Sequence, residues 1–421
     1  MDGLNLSVHS LDISNTGSVD IDGTVLMGDS NNDVSVSNVS VSIGNSHLRD
    51  VNSVDIYGST LRSVGSVELA HLGVNLSDTQ IDSNGQGKFV GARVDVNEIQ
   101  ANNISLAIDH SDLNFKENVM LRSLDIMSSG KEDLLQTVTL ELKNSQIKSR
   151  EGIDLTALSY FGSNARLKNV GAVVSDAELQ AENEISINTL NTYASDSLQT
   201  DNISLSVDRT MLASDTVKIK AIHWAVEDET SRVNIDNTSV YLSRSKIDGE
   251  VDTEVVGVDL VADQAFGQIS HTNISLDSVI LDGSLYGVRV QQASSTSLEV
   301  KETLISLHNS SISGELIGVD NSNALNVEHS ELRLSGANQV GRVDGIDTLR
   351  LVLSDINKNE ALLTITGEAD NLNEGGTDVL PSLTFGQDGI STLVLDFRGV
   401  NFKDNYQLLE TENNEIITLS E

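Results

Sequence analysis

The sequence predicts an all-β protein, a right-handed parallel β-helix, and three observations support this fold class. A motif of the form apolar, any, apolar, any, any, Ser/Thr, any, Ile/Leu recurs along the chain and is clearest at residues 140–147. Its copies follow one another mostly every 32–35 residues, and so steady a period is typical of a solenoid. Apolar residues recur at i, i+2 and many are β-branched, which favours strands over helices.

Each copy of the motif predicts two short strands that meet at a corner. The two apolar residues share one face of a strand, and the two residues after them are mostly Asp, Asn or Ser, as a bend requires. A further apolar strand follows each corner, which gives about three strands per coil, joined by right-handed crossovers. The copies predict about 12 coils and end at Ile13, Leu48, Ile81, Leu113, Ile147, Leu179, Leu212, Ile247, Ile280, Ile312, Leu332 and Ile356.

The Ser/Thr position of the motif lies two residues before an inward Ile or Leu, so its side chain is also expected to face inward. We interpret the hydroxyl as a packing and corner device, because an inward side chain cannot meet a ligand. Leu11 and Ala177 are exceptions, and the copy ending at Ile280 is one residue short before its corner. Elsewhere the position holds Ser46, Thr79, Ser111, Ser145, Thr210, Ser245, Ser278, Ser310, Ser330 and Ser354.

The residue directly before each inward Ile or Leu is expected to face solvent. Together these residues predict a mixed polar ladder on the outside of the coils, which suits contact with a protein or a glycan better than catalysis. The ladder comprises Asp12, His47, Gln80, Asp112, Gln146, Glu178, Met211, Lys246, Val279, Ser311, Glu331 and Asp355.

Composition excludes several classes of function. The formal net charge of −37 over 421 residues argues against a nucleic-acid partner and against binding to an anionic membrane surface. No run of 18 apolar residues occurs, so we expect no membrane insertion of this segment. The chain has no cysteine, which excludes disulfides, thiolate nucleophiles and zinc–thiolate sites.

The pattern changes after Ile356 and predicts two parts, a parallel β-helix over residues 1–360 and a C-terminal β cap over residues 361–421. Aromatic residues concentrate in the second part, and a stack of coils needs a segment that covers its last open coil. The aromatic residues of this part include Phe385, Phe397, Phe402 and Tyr406.

The end of the chain resembles the passengers of classical (type V) autotransporters. Residues 393–402 (LVLDFRGVNF), followed by residues 406–409 (YQLL), resemble the strand L-x-L-x-x-x-G-x-x-x and the Y-x-L-L segment that lie near the passenger C-terminus in that family. The Ser/Asn/Asp-rich, cysteine-free stack before them is similar to the β-helical part of such passengers. Two departures are a period near 33, longer than the coils common in the family, and the absence of a preceding protease domain.

This resemblance implies a protein of a Gram-negative bacterium that is exported through the outer membrane to the cell surface or beyond. It also implies a β-barrel translocator downstream, and folding that starts at the C-terminal end and adds coils toward the N-terminus. The lack of cysteine fits export, since a periplasmic disulfide would impede outward threading. The chain opens directly into a repeat, so we expect any signal peptide to have been left out.

Four short segments contain residue types found in catalytic or metal sites, and none is assigned as such a site. Gly28-Asp29-Ser30 matches a fragment of serine hydrolase motifs, but a chance match in a Gly/Asp/Ser-rich chain is the better interpretation. The acidic alternation Asp248/Glu250/Asp252/Glu254 is interpreted as a solvated loop, and His223-Trp224 as a local packing pair rather than a sugar platform. Gly375-Gly376-Thr377-Asp378 resembles part of a calcium nonapeptide, but one copy without a tandem array indicates a turn.

The sequence therefore predicts a non-enzymatic passenger, with no catalytic residue, no cofactor site and no metal site. We expect it to act in adhesion or self-association, through a host-cell protein or glycan or through another copy of itself on a neighbouring cell. One alternative is an extracellular polysaccharide-degrading β-helix enzyme, against which the shortage of aromatic residues argues. The other alternative is an inert stalk that presents another domain.

Overall fold

The computed structural model describes residues 1–14, 17–28, 33–130, 132–291, 297–320, 325–353, 361–366, 390–396, 398, 406–410 and 416–419. These residues form a parallel β-solenoid and contain no helix, so the predicted all-β class is confirmed. Within the described ranges, each strand pairs with its equivalent in the next coil, and every pairing is parallel except that of the last two strands. None of the described residues belongs to a helix able to cross a membrane.

The strands run in chain order from the N-terminus. They are β1 (Asp2–His9), β2 (Asp12–Ser14), β3 (Ser18–Gly28), β4 (Val34–Gly44), β5 (His47–Val51), β6 (Ser53–Ser63), β7 (Ser66–Ser77), β8 (Gln80–Ser83), β9 (Gly87–Val96), β10 (Glu98–Asp109), β11 (Asp112–Phe115), β12 (Val119–Ser128), β13 (Asp133–Lys143), β14 (Gln146–Ser149), β15 (Gly152–Ser175), β16 (Glu178–Gln180), β17 (Glu184–Asp208), β18 (Met211–Ser243), β19 (Lys246–Asp277), β20 (Ile280–Asp282), β21 (Ser284–Gln291), β22 (Ser297–His308), β23 (Ser311–Asp320), β24 (Asn326–Val327), β25 (Ser330–Ser335), β26 (Asn338–Asp344), β27 (Thr348–Val352), β28 (Leu363–Ile365), β29 (Thr392–Asp396), β30 (Tyr406–Glu410) and β31 (Ile416–Leu419).

Each coil has three sides, as the sequence predicts, and we number the sheets by their first strands. The first sheet begins with β1, β4, β7, β10 and β13, the short second sheet with β2, β5, β8, β11 and β14, and the third sheet with β3, β6, β9 and β12. The long strands β15, β17, β18 and β19 continue around more than one side. Alternate side chains enter one continuous apolar core, in which Ile147 is fully buried.

The corner between the first and second sheets is set by one residue per coil with left-handed backbone. Its φ lies between 46° and 58°, a conformation that Asn and Asp tolerate better than most residues. In the part of the chain that the structure describes, successive corner residues are 31 residues apart (Ser278 to Asn309) to 35 residues apart (Ser10 to Asn45), which gives about nine coils rather than the twelve predicted. We call this set the corner column: Ser10, Asn45, Asp78, His110, Asn144, Asp176, Arg209, Arg244, Ser278 and Asn309.

Two of the predicted motif copies have the wrong register. Ser278 is the corner residue itself, so Val279 takes the inward hydroxyl position, Ile280 is 55% exposed, and Leu281 pairs with Ile247 in the core. The error arose because no Ser or Thr stands at position 279, which made Ser278 look like the motif residue. Val279 was therefore wrongly predicted to face solvent.

The second error concerns Leu332, which lies in the first sheet opposite Ile305 rather than after a corner. The residue that continues the inward column after Ile312 is Val340, and Asn338 replaces the hydroxyl by accepting from the Ser310 N–H at 3.0 Å. With that shift Glu331 still lies on the outward side of its strand, next to the inward Leu332, but its carboxylate is covered by Arg333 and Arg350. The end of the last predicted copy, residues 354–356, lies outside the described residues.

The inward hydroxyls do form a corner device, as predicted. Ser145 donates its Oγ–H to the carbonyl oxygen of Lys143 at 2.6 Å and accepts from the backbone N–H of Ser111, one coil earlier, at 3.0 Å. Ser111 repeats the arrangement with the carbonyl of Asp109 and the N–H of Thr79. Each hydroxyl therefore closes its own corner and bonds the neighbouring coil.

Ala177 interrupts this hydroxyl column, which predicts a stabilising substitution. Ala177→Ser is expected to raise the free energy of unfolding by about 1 kcal/mol, because the new Oγ can accept from the Ser145 N–H and donate to the carbonyl two residues earlier. Ser111→Ala, the reverse change in a coil that has the hydroxyl, should lower the free energy of unfolding by a similar amount. Urea denaturation of both variants measures the effect. If Ala177→Ser is destabilised, the coil that contains Ala177 is packed differently from the others.

The third sheet carries a column of small residues that the sequence analysis missed. Here two successive residues, such as Ser123 and Leu124, both point inward and are fully buried. Ser123 donates its Oγ–H to the Thr139 carbonyl at 2.6 Å, so the third sheet packs directly against the first sheet at this point. We call these positions the small-residue column: Gly23, Gly58, Gly91, Ser123, Ala157, Thr189, Ala221, Gly257, Gly287 and Gly318.

Because two inward residues succeed each other there, the outer surface of the third sheet is concave. Outward side chains three residues apart come into contact across the bend: Arg122 Nη1 lies 3.2 Å from Asp125 Oδ1, and the guanidinium of Arg289 lies 4.7 Å from the centre of the Tyr286 ring. Long polar side chains on this face are thereby taken partly out of water.

At the C-terminal end the stack continues before its pairing changes. β28 and β29 add to β26 and β27 in parallel, and Leu362, Leu363, Ile365 and Ile390 are buried in the same core. β30 pairs with β28 in parallel and with β31 in antiparallel fashion. The boundary at residue 360 and the capping role of residues 361–421 stay predictions, and Phe385, Phe397 and Phe402 lie outside the described residues.

Candidate functional site

A shallow groove of about 920 Å³, widely open to solvent, runs along the solenoid axis beside the corner column. Its floor is formed by the inward hydroxyl positions of four coils, and both neighbours of each floor residue point outward and form the walls. One wall is part of the predicted outward ladder, which the structure thus places in a groove. We call this the corner groove; its walls are His110, Asn144, Asp176, Arg209 and Arg244 on one side and Asp112, Gln146, Glu178, Met211 and Lys246 on the other.

Hydrogen bonds between neighbouring coils hold several wall side chains in place. Gln146 donates from Nε2 to Glu178 Oε2 at 2.7 Å, and the two residues are register partners of β14 and β16. Asn144 donates from Nδ2 to Asp109 Oδ1 at 2.9 Å. The walls are therefore arranged before any ligand arrives, which lowers the entropic cost of binding.

The cations of the corner groove are neutralised within it or at its edge. Arg209 forms a two-pronged pair with Asp176, and this hydrogen bonding lowers the pKa of the Asp176 carboxyl. Arg244 contacts Asp208 at 2.8 Å. The groove consequently offers many donors and acceptors but no uncompensated cluster of positive charge.

The acidic alternation at residues 248–254 is not a solvated loop. It lies within β19, where Asp248 pairs with Lys246 at 2.6 Å and Glu250 and Asp252 are exposed. Glu254 is buried and contacts Lys220 Nζ at 2.8 Å and Arg289 Nη1 at 2.6 Å. The prediction was wrong for Glu254 because its two cationic partners come from the neighbouring coils.

Glu254 belongs to a buried ionic cluster on the concave third sheet, centred on the fully buried Asp259. One oxygen of Asp259 lies 2.7 Å from Lys220 Nζ and 3.0 Å from His223 Nδ1. The other lies 2.9 Å from Arg289 Nε and 3.0 Å from Gln291 Nε2. The cluster therefore joins three successive coils, in the order cationic, acidic and cationic.

The electrostatics of the cluster argue against acid–base catalysis. Burial alone would raise the pKa of Asp259 and of Glu254, but hydrogen bonds from His223 and Arg289 to the first, and from Arg289 and Lys220 to the second, lower both pKa values. A glycosidase acid needs the opposite, a carboxyl whose pKa is raised so that it holds a proton at working pH.

His223 and Trp224 point to opposite sides of β18, so they are not a packing pair. His223 faces the ionic cluster, while Trp224 is fully buried in the core and donates its indole N–H to the Ala194 carbonyl at 3.2 Å. The strict alternation of a strand carries the signal that would have separated them. A buried tryptophan is also no platform for a sugar.

The other two motifs fall largely outside the described residues. Gly28 ends β3, but Asp29 and Ser30 are not described, and neither are residues 375–378. Among the residues that the structure does describe, no group of three or more His, Asp or Glu side chains is placed to hold a metal ion.

His271 bridges three coils elsewhere on the surface. Its Nδ1 lies 2.6 Å from Asp236 Oδ1 and its Nε2 lies 3.0 Å from Glu302 Oε2. The hydrogen bond to Asp236, with the charges of Asp236 and Glu302, raises the pKa of His271 above its usual 6.5. Protonated His271 thus stabilises the fold fully below pH 6.5, and the contribution is lost as pH rises through the raised pKa.

This linkage predicts a pH-dependent effect of His271→Asn, a change that keeps a residue suited to the left-handed backbone there. The melting temperature of the variant should fall below that of the parent at pH 5.5, and the two should converge by pH 8.5. His71→Asn is the matched control, because His71 has the same backbone conformation but contacts the amide of Asn103. A pH-independent difference at His271 would contradict the bridge.

Comparison with known proteins gives no relative. No protein-family model, no curated protein and no solved structure matches this chain.

Proposed function

We propose that this chain is the passenger of a classical autotransporter, displayed on a Gram-negative bacterial surface or secreted, and that it acts in adhesion or self-association without catalysis. The observation that carries the proposal is the corner groove. It extends over five coils, is open to solvent, and is lined by side chains that are already oriented for hydrogen bonding. Such a surface suits contact with an extended partner.

Two further observations support binding over catalysis. The carboxyls of Glu254 and Asp259 are committed to Lys220 and Arg289, so they are poorly suited to proton transfer. The wall carboxylates Asp176 and Glu178 of the corner groove likewise accept hydrogen bonds from Arg209 and Gln146. A polysaccharide-degrading enzyme is therefore the weaker reading.

The test is display of residues 1–421 on a Gram-negative laboratory host from a heterologous autotransporter barrel, compared with the same barrel alone. Adhesion to cultured epithelial cells and settling of the bacterial suspension are measured. We expect at least one of them to rise above the barrel control. If correctly displayed, folded passenger changes neither, the chain is an inert stalk and the proposal is wrong.

A further inference from the structure

We propose that the corner groove binds a neutral linear glycan that lies along the solenoid axis. This inference depends on the proposed adhesive function and names its ligand. Along the walls of the groove, five successive coils each present at least one planar polar group, an amide, a carboxylate or a guanidinium. Such groups offer donors and acceptors side by side, which matches the adjacent hydroxyls of a sugar ring.

The spacing of these groups suits a repeating polymer. Successive coils lie about 4.8 Å apart, the distance between neighbouring strands of a sheet. One pyranose unit of an extended glycan advances by nearly the same distance, so each ring would lie opposite one coil, and alternate rings of a β-1,4-linked chain would present the same edge to the groove. An extended peptide, which advances about 3.4 Å per residue, would fall out of step with the coils.

The charge of the groove indicates that the glycan is neutral. The chain carries a net charge of −37, which repels an anionic polymer. The local cations do not offset this repulsion, because Arg209 is paired with Asp176, Arg244 with Asp208 and Lys246 with Asp248.

A protein partner fits the groove less well than a glycan. Tight protein interfaces depend on large apolar or aromatic anchors that fill pockets. Met211, which is 43% exposed, is the one large apolar side chain among the wall residues, and the floor consists of Ser, Thr and Ala. A hydroxyl-rich ligand needs no such anchor, since Glu178 and Gln146 keep oxygen atoms that can accept further hydrogen bonds.

The test is isothermal titration calorimetry of the full chain with defined hexasaccharides of cellulose, chitin, laminarin and mannan, and with a hyaluronan hexasaccharide as the anionic probe. We expect at least one neutral hexasaccharide to bind and the anionic one not to. Gln146→Ala/Glu178→Ala should weaken that binding at least tenfold. The matched control is Gln136→Ala/Glu141→Ala on β13, in the first sheet of the same coil, which should stay within twofold of the parent.

Each result supports the inference or overturns it. The inference fails if no neutral hexasaccharide binds, if only hyaluronan binds, or if the groove variant binds as well as the parent while its melting temperature is unchanged. Cell adhesion of the displayed variants separates this failure from failure of the proposed function. Loss of adhesion in the groove variant without any glycan binding would indicate a protein ligand, which overturns the glycan and keeps the adhesive role.

Discussion

Replacing Asp259 with asparagine is expected to lower the free energy of unfolding by about 3–5 kcal/mol. The substitution keeps the shape of the side chain but removes the charge that Lys220 and Arg289 face at 2.7 Å and 2.9 Å in the buried cluster. Those cations would share only Glu254, and desolvated charges without full compensation are strongly unfavourable. Urea denaturation followed by circular dichroism gives the measurement.

The matched control is Asp95→Asn, which breaks the 3.4 Å pair of Arg62 and Asp95, where both side chains are more than half exposed. We expect that change to cost less than about 1 kcal/mol. A pH series provides a second check: because the folded-state pKa of Asp259 is lowered, its stabilisation is present above pH 3.8 and is lost as pH falls toward the lowered pKa. Equal, small losses in both variants would show that the cluster contributes little.

Gly91→Val should be similarly damaging, with an expected loss of about 3 kcal/mol. A Cβ atom at Gly91 would lie 2.4 Å from the carbonyl oxygen of Ser123 in the next coil and 2.8 Å from that of Ser105 in the first sheet. Both obstacles are backbone, so the third sheet would have to move away from the first. Thermal and urea unfolding measure the loss.

Gly171→Val is the control for this prediction, because Gly171 lies on the outward side of the first sheet. Its Cβ would meet the Ser204 Oγ at 3.2 Å, the rotatable end of a side chain, and valine suits a strand. We expect a change within about 1 kcal/mol. If both valines are tolerated equally, the close approach of the two sheets does not constrain the coil.

The fold could be predicted because its main signal is local. Alternation of apolar residues and the corner before Ile147 repeat in each coil, so one clear copy establishes the pattern for the others. The prediction failed at Ile280 and Leu332, where the repeat lacks its hydroxyl or changes its length. The small-residue column was missed because Gly, Ser, Ala and Thr share small volume rather than hydrophobicity, and a search for apolar periodicity passes over them.

The candidate site was only half predictable for a different reason. The outward ladder from Asp112 to Lys246 follows from alternation alone. Its position in a groove depends on the left-handed backbone of the corner column, which turns the side chains of that column outward as the second wall. The ionic cluster could not be derived from the sequence, because Lys220, Asp259 and Arg289 lie on three successive coils. Their contact can be predicted only when the pairing register of these coils is known for each residue. Long-range register is what short-range patterns do not contain.

Differences in coil length have a consequence for protein engineering. The pairing register shifts after the third-sheet strands, between Gly162 and Asn164 in one coil and between Thr192 and Ser197 in the next, while the columns before and after continue in step. The additional residues of a longer coil are thus accommodated at the edge of the solenoid that follows the third sheet. A foreign epitope grafted between Thr192 and Ser197 would project there at a fixed height, and grafts in successive coils would form an array with a spacing of about 4.8 Å.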